Sequence, residues 1–143
     1  MALADFLDSP VGGRYWAHLG IEVVESRDSI GVCRVLLREH HLNYNDIAHG
    51  GVVASLIDSA AGAAVRSVRS PEEVTARPHA TSDLHVSYLA AARGTELVAR
   101  ARVLKAGRTV LFTDVEVTDD TGRMIARGSV TLVVGAARPA NEA

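Results

Sequence analysis

The sequence predicts an α+β domain: a curved antiparallel sheet of about six strands wrapped around one long central helix. Residues 51–68 are apolar around most of a helical circumference, so this helix must be covered on nearly all sides. About six other segments alternate apolar and polar residues at the strand period. Short connections between consecutive strands imply antiparallel pairing.

The first strands are read at 21–26 and 31–38, joined by the turn Arg27-Asp28-Ser29. A short helix at 10–19, stopped near Gly20, precedes them, and residues 1–9 read as an amphipathic or frayed segment. Residues 39–48 form a polar loop, in which His40 and His41 are read as solvated. The long helix follows, and a charged loop at 69–77 ends it. Strand 81–89 places Leu84, Val86 and Tyr88 on one face and Asp83, His85 and Ser87 on the other. Strands at 96–105, 109–118 and 124–134 complete the sheet, with Arg100, Arg102, Asp114, Glu116 and Arg127 pointing away from the helix.

A chain of 143 residues is expected to be one domain, residues 1–143, with its core at about 11–135 and loose termini. The composition, 48% hydrophobic and 22% charged, argues against disorder. A net charge of −2 without a basic field argues against nucleic acid as a partner. The single cysteine, Cys33, lies between strand residues and reads as a small core residue. The N-terminus lacks a basic region and a long apolar run, and the long helix is too short and carries a charge. The expectation is a cytoplasmic protein with no membrane partner.

Asp58 is the only charged residue between His49 and Arg66. Ionised carboxylates avoid apolar helices unless something compensates them. The turn His49-Gly50-Gly51 precedes that helix and leaves backbone N–H groups at its positive end. A carboxylate and an oxyanion site are two parts of an acyl-transfer or hydrolysis centre. Glycine suits the oxyanion position because no side chain blocks approach to the backbone. Ser55 and Ser59 lack a G-x-S-x-G elbow, which argues against a serine hydrolase. His79, Asp83 and His85 form no dense ligand motif, so no metal is expected.

The run from His41 to Gly51, with Asn43 six residues before His49-Gly50-Gly51 and Asp58 nine after His49, resembles the hotdog-fold thioesterases, phenylacetate-pathway (PaaI-type) branch. Thr81 to Leu89, Gly107-Arg108-Thr109, Gly122 and Ala126-Arg127-Gly128 fit as well, so the resemblance covers about residues 11–135. It implies a homo-oligomer, a dimer or a dimer of dimers (homotetramer), that hydrolyses acyl-CoA thioesters. By motif position Gly50 supplies the oxyanion N–H and Asn43 assists at the carbonyl. Asp58 is general base or nucleophile, and Thr81 takes the place of a hydroxyl that positions water. His49 matches the family histidine, whose role is less uniform. No cofactor is expected beyond the coenzyme A of the substrate.

The phosphates of coenzyme A call for basic side chains, and Arg108 and Lys105 are the candidates, with Gly51 a third substrate contact. Small residues Ala54 and Ala61 leave room for an aromatic or medium-chain acyl group. Gly50 and Asp58 are eight positions apart, on the order of 12 Å along a helix. That is long for two groups serving one carbonyl, so the expected site pairs Gly50 of one subunit with Asp58 of another. The competing readings are a hotdog protein that binds acyl-CoA without hydrolysis, and a hotdog dehydratase or hydratase.

Overall fold

The computed structural model describes residues 10–137 and 139. The segment expected to be frayed, 1–9, lies outside the described residues, as do 138 and 140–143 of the expected loose tail. Helix α1 (Pro10–Leu19) passes through Gly20, at φ +72°, into the sheet. Its strands are β1 (Ile21–Arg27), β2 (Ile30–Leu36), β3 (His79–Tyr88), β4 (Glu96–Ala106), β5 (Val110–Asp119) and β6 (Met124–Val134). All neighbouring pairs are antiparallel, in the order β1-β2-β4-β5-β6-β3. Asp28 and Ser29 turn the first hairpin with φ of 51° and 68°, the left-handed pair that matches strand twist. Consecutive pairing fails at one place: β3 precedes β4 in the chain but pairs with β6 at the far edge.

The long helix α2 (Gly50–Arg66) packs chiefly over β2, β4 and β5. Leu56, Ile57, Leu97, Val115 and Val117 are fully buried between helix and sheet. Cutting Leu56 to alanine would cost about 2–5 kcal/mol. Gly31 of β2 sets the closeness of the layers, because a Cβ there would collide with the backbone of Ala60 and Ala64. On the outer face Arg127 pairs with Asp114 at 3.0 Å and Glu116 at 3.5 Å. Such exposed pairs contribute little singly.

Two expectations are corrected, and a third holds with a difference in burial. The segment at 69–77 is not simply a loop but holds helix α3 (Pro71–Ala76). Ser70 Oγ accepts the Glu73 N–H at 3.1 Å, Glu73 Oε2 accepts the Ser70 N–H at 2.7 Å, and Pro71 opens the turn. His41 is not solvated: it ends a 3-10 turn (Glu39–His41) and is 2% exposed. Leu84, Val86 and Tyr88 do lie on the inner face of β3, opposite Val130, Gly128 and Ala126. Leu84 and Tyr88 nevertheless stay exposed, since β3 is an edge strand and α2 covers mainly the strands beyond it.

Candidate active site

The start of α2 is capped by a histidine. His49 is extended (φ −57°, ψ 139°), and its Nδ1 accepts the Gly51 N–H at 2.9 Å. Its carbonyl accepts the N–H groups of Val52 at 2.9 Å and Val53 at 3.4 Å. His49 thus does what serine or aspartate does at other helix starts. Gly50 N–H is left without an acceptor among the described residues, at the positive end of a 17-residue helix.

Beneath this turn His41 acts as an anchor. Its Nδ1 accepts the Arg38 N–H at 2.8 Å, and its Nε2–H donates to the Leu19 carbonyl at 2.7 Å. Its own carbonyl accepts the His49 N–H at 2.8 Å. Burial, above all, holds the His41 ring below the usual histidine pKa, in keeping with this neutral tautomer.

Asn43 is fixed by its oxygen. Oδ1 accepts the N–H of Asn45 at 2.9 Å and of Ile47 at 3.4 Å, a turn that asparagine forms readily. Its Nδ2 therefore remains as a donor. Asn43 and Gly50 line one cleft of about 420 Å³, together with Val53, Tyr88 and Ile125. Tyr88 reaches in from β3 and donates its hydroxyl to the Gly50 carbonyl at 2.6 Å.

Asp58 lies two turns along α2. It stands on a half-buried strip with Ala54 and Gly62, rather than in the fully enclosed setting the sequence implies. The sheet covers the other flanks of α2, and the edge strand leaves this one partly open. Thr81 Oγ1 donates to Asp58 Oδ1 at 2.7 Å. Neither Asp58 nor Thr81 lines the cleft at Gly50. One chain therefore brings Asn43, His49 and Gly50 together at one place and Asp58 and Thr81 at another. Ala61 is fully buried, so no acyl space opens along it.

The remaining candidates are scattered. Ser55 and Ser59 donate their hydroxyls to the carbonyls of Gly51 and Ser55, each at 2.7 Å. Cys33 is enclosed in the core, and burial pushes its thiol up to about 12, far from a reactive thiolate. Among the described residues no three His, Cys, Asp or Glu side chains gather as a metal site. No helix among them is long and apolar enough to cross a membrane.

A second cleft, about 470 Å³, opens near the C-terminal end of α2 and is lined by Arg69, Arg77 and Arg108. Arg69 holds its rim together, reaching His79 Nδ1 at 2.9 Å and the Arg77 carbonyl at 2.7 Å. Burial and the neighbouring charges of Arg69 and Arg66 push His79 down to about 4. Lys105 lies outside this cleft, in register with exposed Phe112. The Gly51 N–H is already taken by the His49 cap.

Sequence reasoning missed Tyr88, His41, Arg69 and Arg77 as site residues. Tyr88 carried a signal: a tyrosine on an inner strand face needs a partner for its hydroxyl. His41 carried none, because its partners come from α1 and a neighbouring turn.

Comparison with known proteins fits this geometry. Residues 45–126 match the profile of the thioesterase superfamily. Acyl-coenzyme A thioesterase 13 of Homo sapiens is 31% identical over 117 residues, 80% of each chain. A thioesterase protein from Streptococcus pneumoniae, solved with coenzyme A, superposes with TM-score 0.71 at 27% identity, over 83% of this chain and 91% of that one. The Escherichia coli PaaI protein of the phenylacetic acid degradation operon shares the fold, with TM-score 0.77 at 19% identity over 94% and 90% of the two chains. The six-stranded sheet around α2, the capped glycine at its start and the profile match agree: this chain belongs to the thioesterase superfamily and has its hotdog fold.

Proposed function

We propose that this protein hydrolyses acyl-CoA thioesters at sites shared between two subunits of a homo-oligomer. The observation that carries the reading is the division within one chain. Gly50 N–H and Asn43 face one cleft, while Asp58 and Thr81 sit together outside it. Two chains related by a two-fold axis would bring each half to the other twice. The exposed inner face of β3, with Leu84 and Tyr88, supports pairing at that edge.

In this reading the thioester carbonyl accepts from Gly50 N–H and Asn43 Nδ2. Oxygen gathers negative charge as the carbonyl carbon is attacked, and donors already in place stabilise it without reorganising. Asp58 of the opposite subunit takes a proton from water, with Thr81 fixing one carboxylate oxygen and leaving the other to accept. The tetrahedral intermediate collapses with rupture of the C–S bond, and the Asp58 proton passes to the departing thiolate. Direct attack by Asp58, through an anhydride that water then opens, uses the same groups. Arg108, with Arg69 and Arg77 in the second cleft, suits the coenzyme A phosphates.

Two measurements test this. With acyl-CoA substrates, free CoA should appear. Binding without release supports a carrier, and interconversion of enoyl and 3-hydroxyacyl thioesters supports a hydratase. The shared site is tested by mixing Asp58→Asn with Gly50→Val, whose Cβ would stand 3.2 Å from Tyr88 Oη and block the N–H. Each homo-oligomer should be inactive. Mixed dimers hold one intact site and should regain up to about half of wild-type activity. Folded, mass-verified heterodimers that stay inactive would assign each site to one chain.

A further inference from the structure

A carbonyl held at Gly50 N–H sends out two arms. The sulfur arm leads to phosphates and the other arm is the acyl group. The walls around Gly50 separate these chemistries. Within one chain the cleft there is lined by Ile47, Val53, Ala92 and Ile125, and among the described residues of that chain no carboxylate, lysine, arginine or histidine lines it. Arg69, Arg77 and Arg108, with Glu73 as the one carboxylate, line the other cleft. A phosphate in the cleft at Gly50 would meet no cationic side chain of the same chain to offset its lost hydration. Apolar carbon fits it, and about 420 Å³ lies within the range of small-molecule pockets.

Tyr88 stands at this cleft as a large aromatic left 54% exposed. A Cβ placed on Gly50 would meet its Oη at 3.2 Å and its ring carbons at 3.3 and 3.4 Å, so the ring tip occupies the space a side chain at Gly50 would need. The hydroxyl is pinned to the Gly50 carbonyl at 2.6 Å. The ring is therefore a fixed wall beside the atom that would bind the thioester oxygen. Because it lies on an edge strand, removing it opens the cleft without emptying the core.

We infer that the cleft at Gly50 receives an uncharged, apolar acyl group and that Tyr88 is the specificity-determining residue that limits its size. This rests on the acyl-CoA reading above. Tyr88→Ala lengthens the pocket, and Tyr88→Phe keeps the wall while losing the hydroxyl bond.

The test compares kcat/KM for acetyl-, butyryl-, octanoyl- and phenylacetyl-CoA across the wild type, Tyr88→Phe and Tyr88→Ala. The octanoyl-to-butyryl ratio should rise about tenfold or more in Tyr88→Ala and stay within about threefold in Tyr88→Phe, as expected when pocket size decides. Calorimetric titration with the S-butyl and S-octyl thioethers of CoA, which are not hydrolysed, should show the same change in Kd ratio. Unchanged ratios in a folded Tyr88→Ala protein would overturn the inference, as would failure of both thioethers to bind. If no CoA is released from any substrate while the thioether ratio shifts, the hydrolytic reading fails and the pocket assignment stands.

Discussion

The two halves of the candidate site are held in different ways. Around Gly50 the chain ties down its own polar groups: His49 Nδ1 to Gly51, Asn43 Oδ1 to Asn45 and Ile47, and the Gly50 carbonyl to Tyr88. The buried His41 locks that turn to the end of α1. Around Asp58, among the described residues, one side-chain hydrogen bond, from Thr81 on an edge strand, does the holding. A donor of oxyanion bonds works best when rigid, since it must not reorganise as charge develops. A base must admit water and exchange a proton, and tolerates a looser hold. The donor half is tied down by several bonds within one chain, whereas the hold on Asp58 comes from the edge strand β3.

The comparison breaks most sharply at Asp58. Asp58→Asn is nearly isosteric and should leave the fold intact while kcat falls about a hundredfold or more, the lower range for a lost general base. A folded variant with wild-type turnover would reduce Asp58 to a structural role. Asn43→Ala should cost less than Asp58→Asn, because backbone N–H remains as the main donor. Its loss should appear in kcat, and a change confined to KM would make Asn43 a binding group only.

Thr81→Val removes the one bond that orients the carboxylate. A hydrogen bond to a charged group contributes on the order of 1.5 kcal/mol, about tenfold in rate. Thr81→Ser should restore most of that loss, and equal rates in all three proteins would remove Thr81 from the chemistry.

The last effect leaves turnover aside and concerns stability at the start of β3. His79 is held near 4 in the folded chain against an ordinary 6.5. The unfolded chain therefore gains a proton first as the pH falls. Stability from the neutral, packed ring is full above about pH 6.5 and is lost between there and about pH 4. His79→Gln should flatten the fall of Tm across that window. An unchanged slope would assign the acid sensitivity to other groups.

The strands and the long helix were legible because their periods are unambiguous and Gly20, Asp28 and Gly122 punctuate them. The place of β3 was not: nothing local tells a strand to bypass its successor and pair with the last one. The Asn43–His49–Gly50–Asp58 spacing pointed to the chemistry, but not to His49 acting as a helix cap. Tyr88 and the arginines of the second cleft come together only through tertiary structure. Helix α3 was hidden by its charge, although Ser70, Pro71 and Glu73 spell a helix start.

The pairing of β3 with β6 also bears on how the chain is made. Thr81 and Tyr88, one for each half of the candidate site, ride on a strand whose one sheet partner among the described residues is β6, which follows it by three strands. On the ribosome, α2 and the β1–β2 hairpin emerge early, but β3 has no edge to join until β6 is extruded. The strand that carries Thr81 and Tyr88 is therefore seated only once β6 has followed it. Premature termination before Met124 would spare every candidate catalytic residue and still remove the strand against which the backbone of Thr81 and Tyr88 is paired.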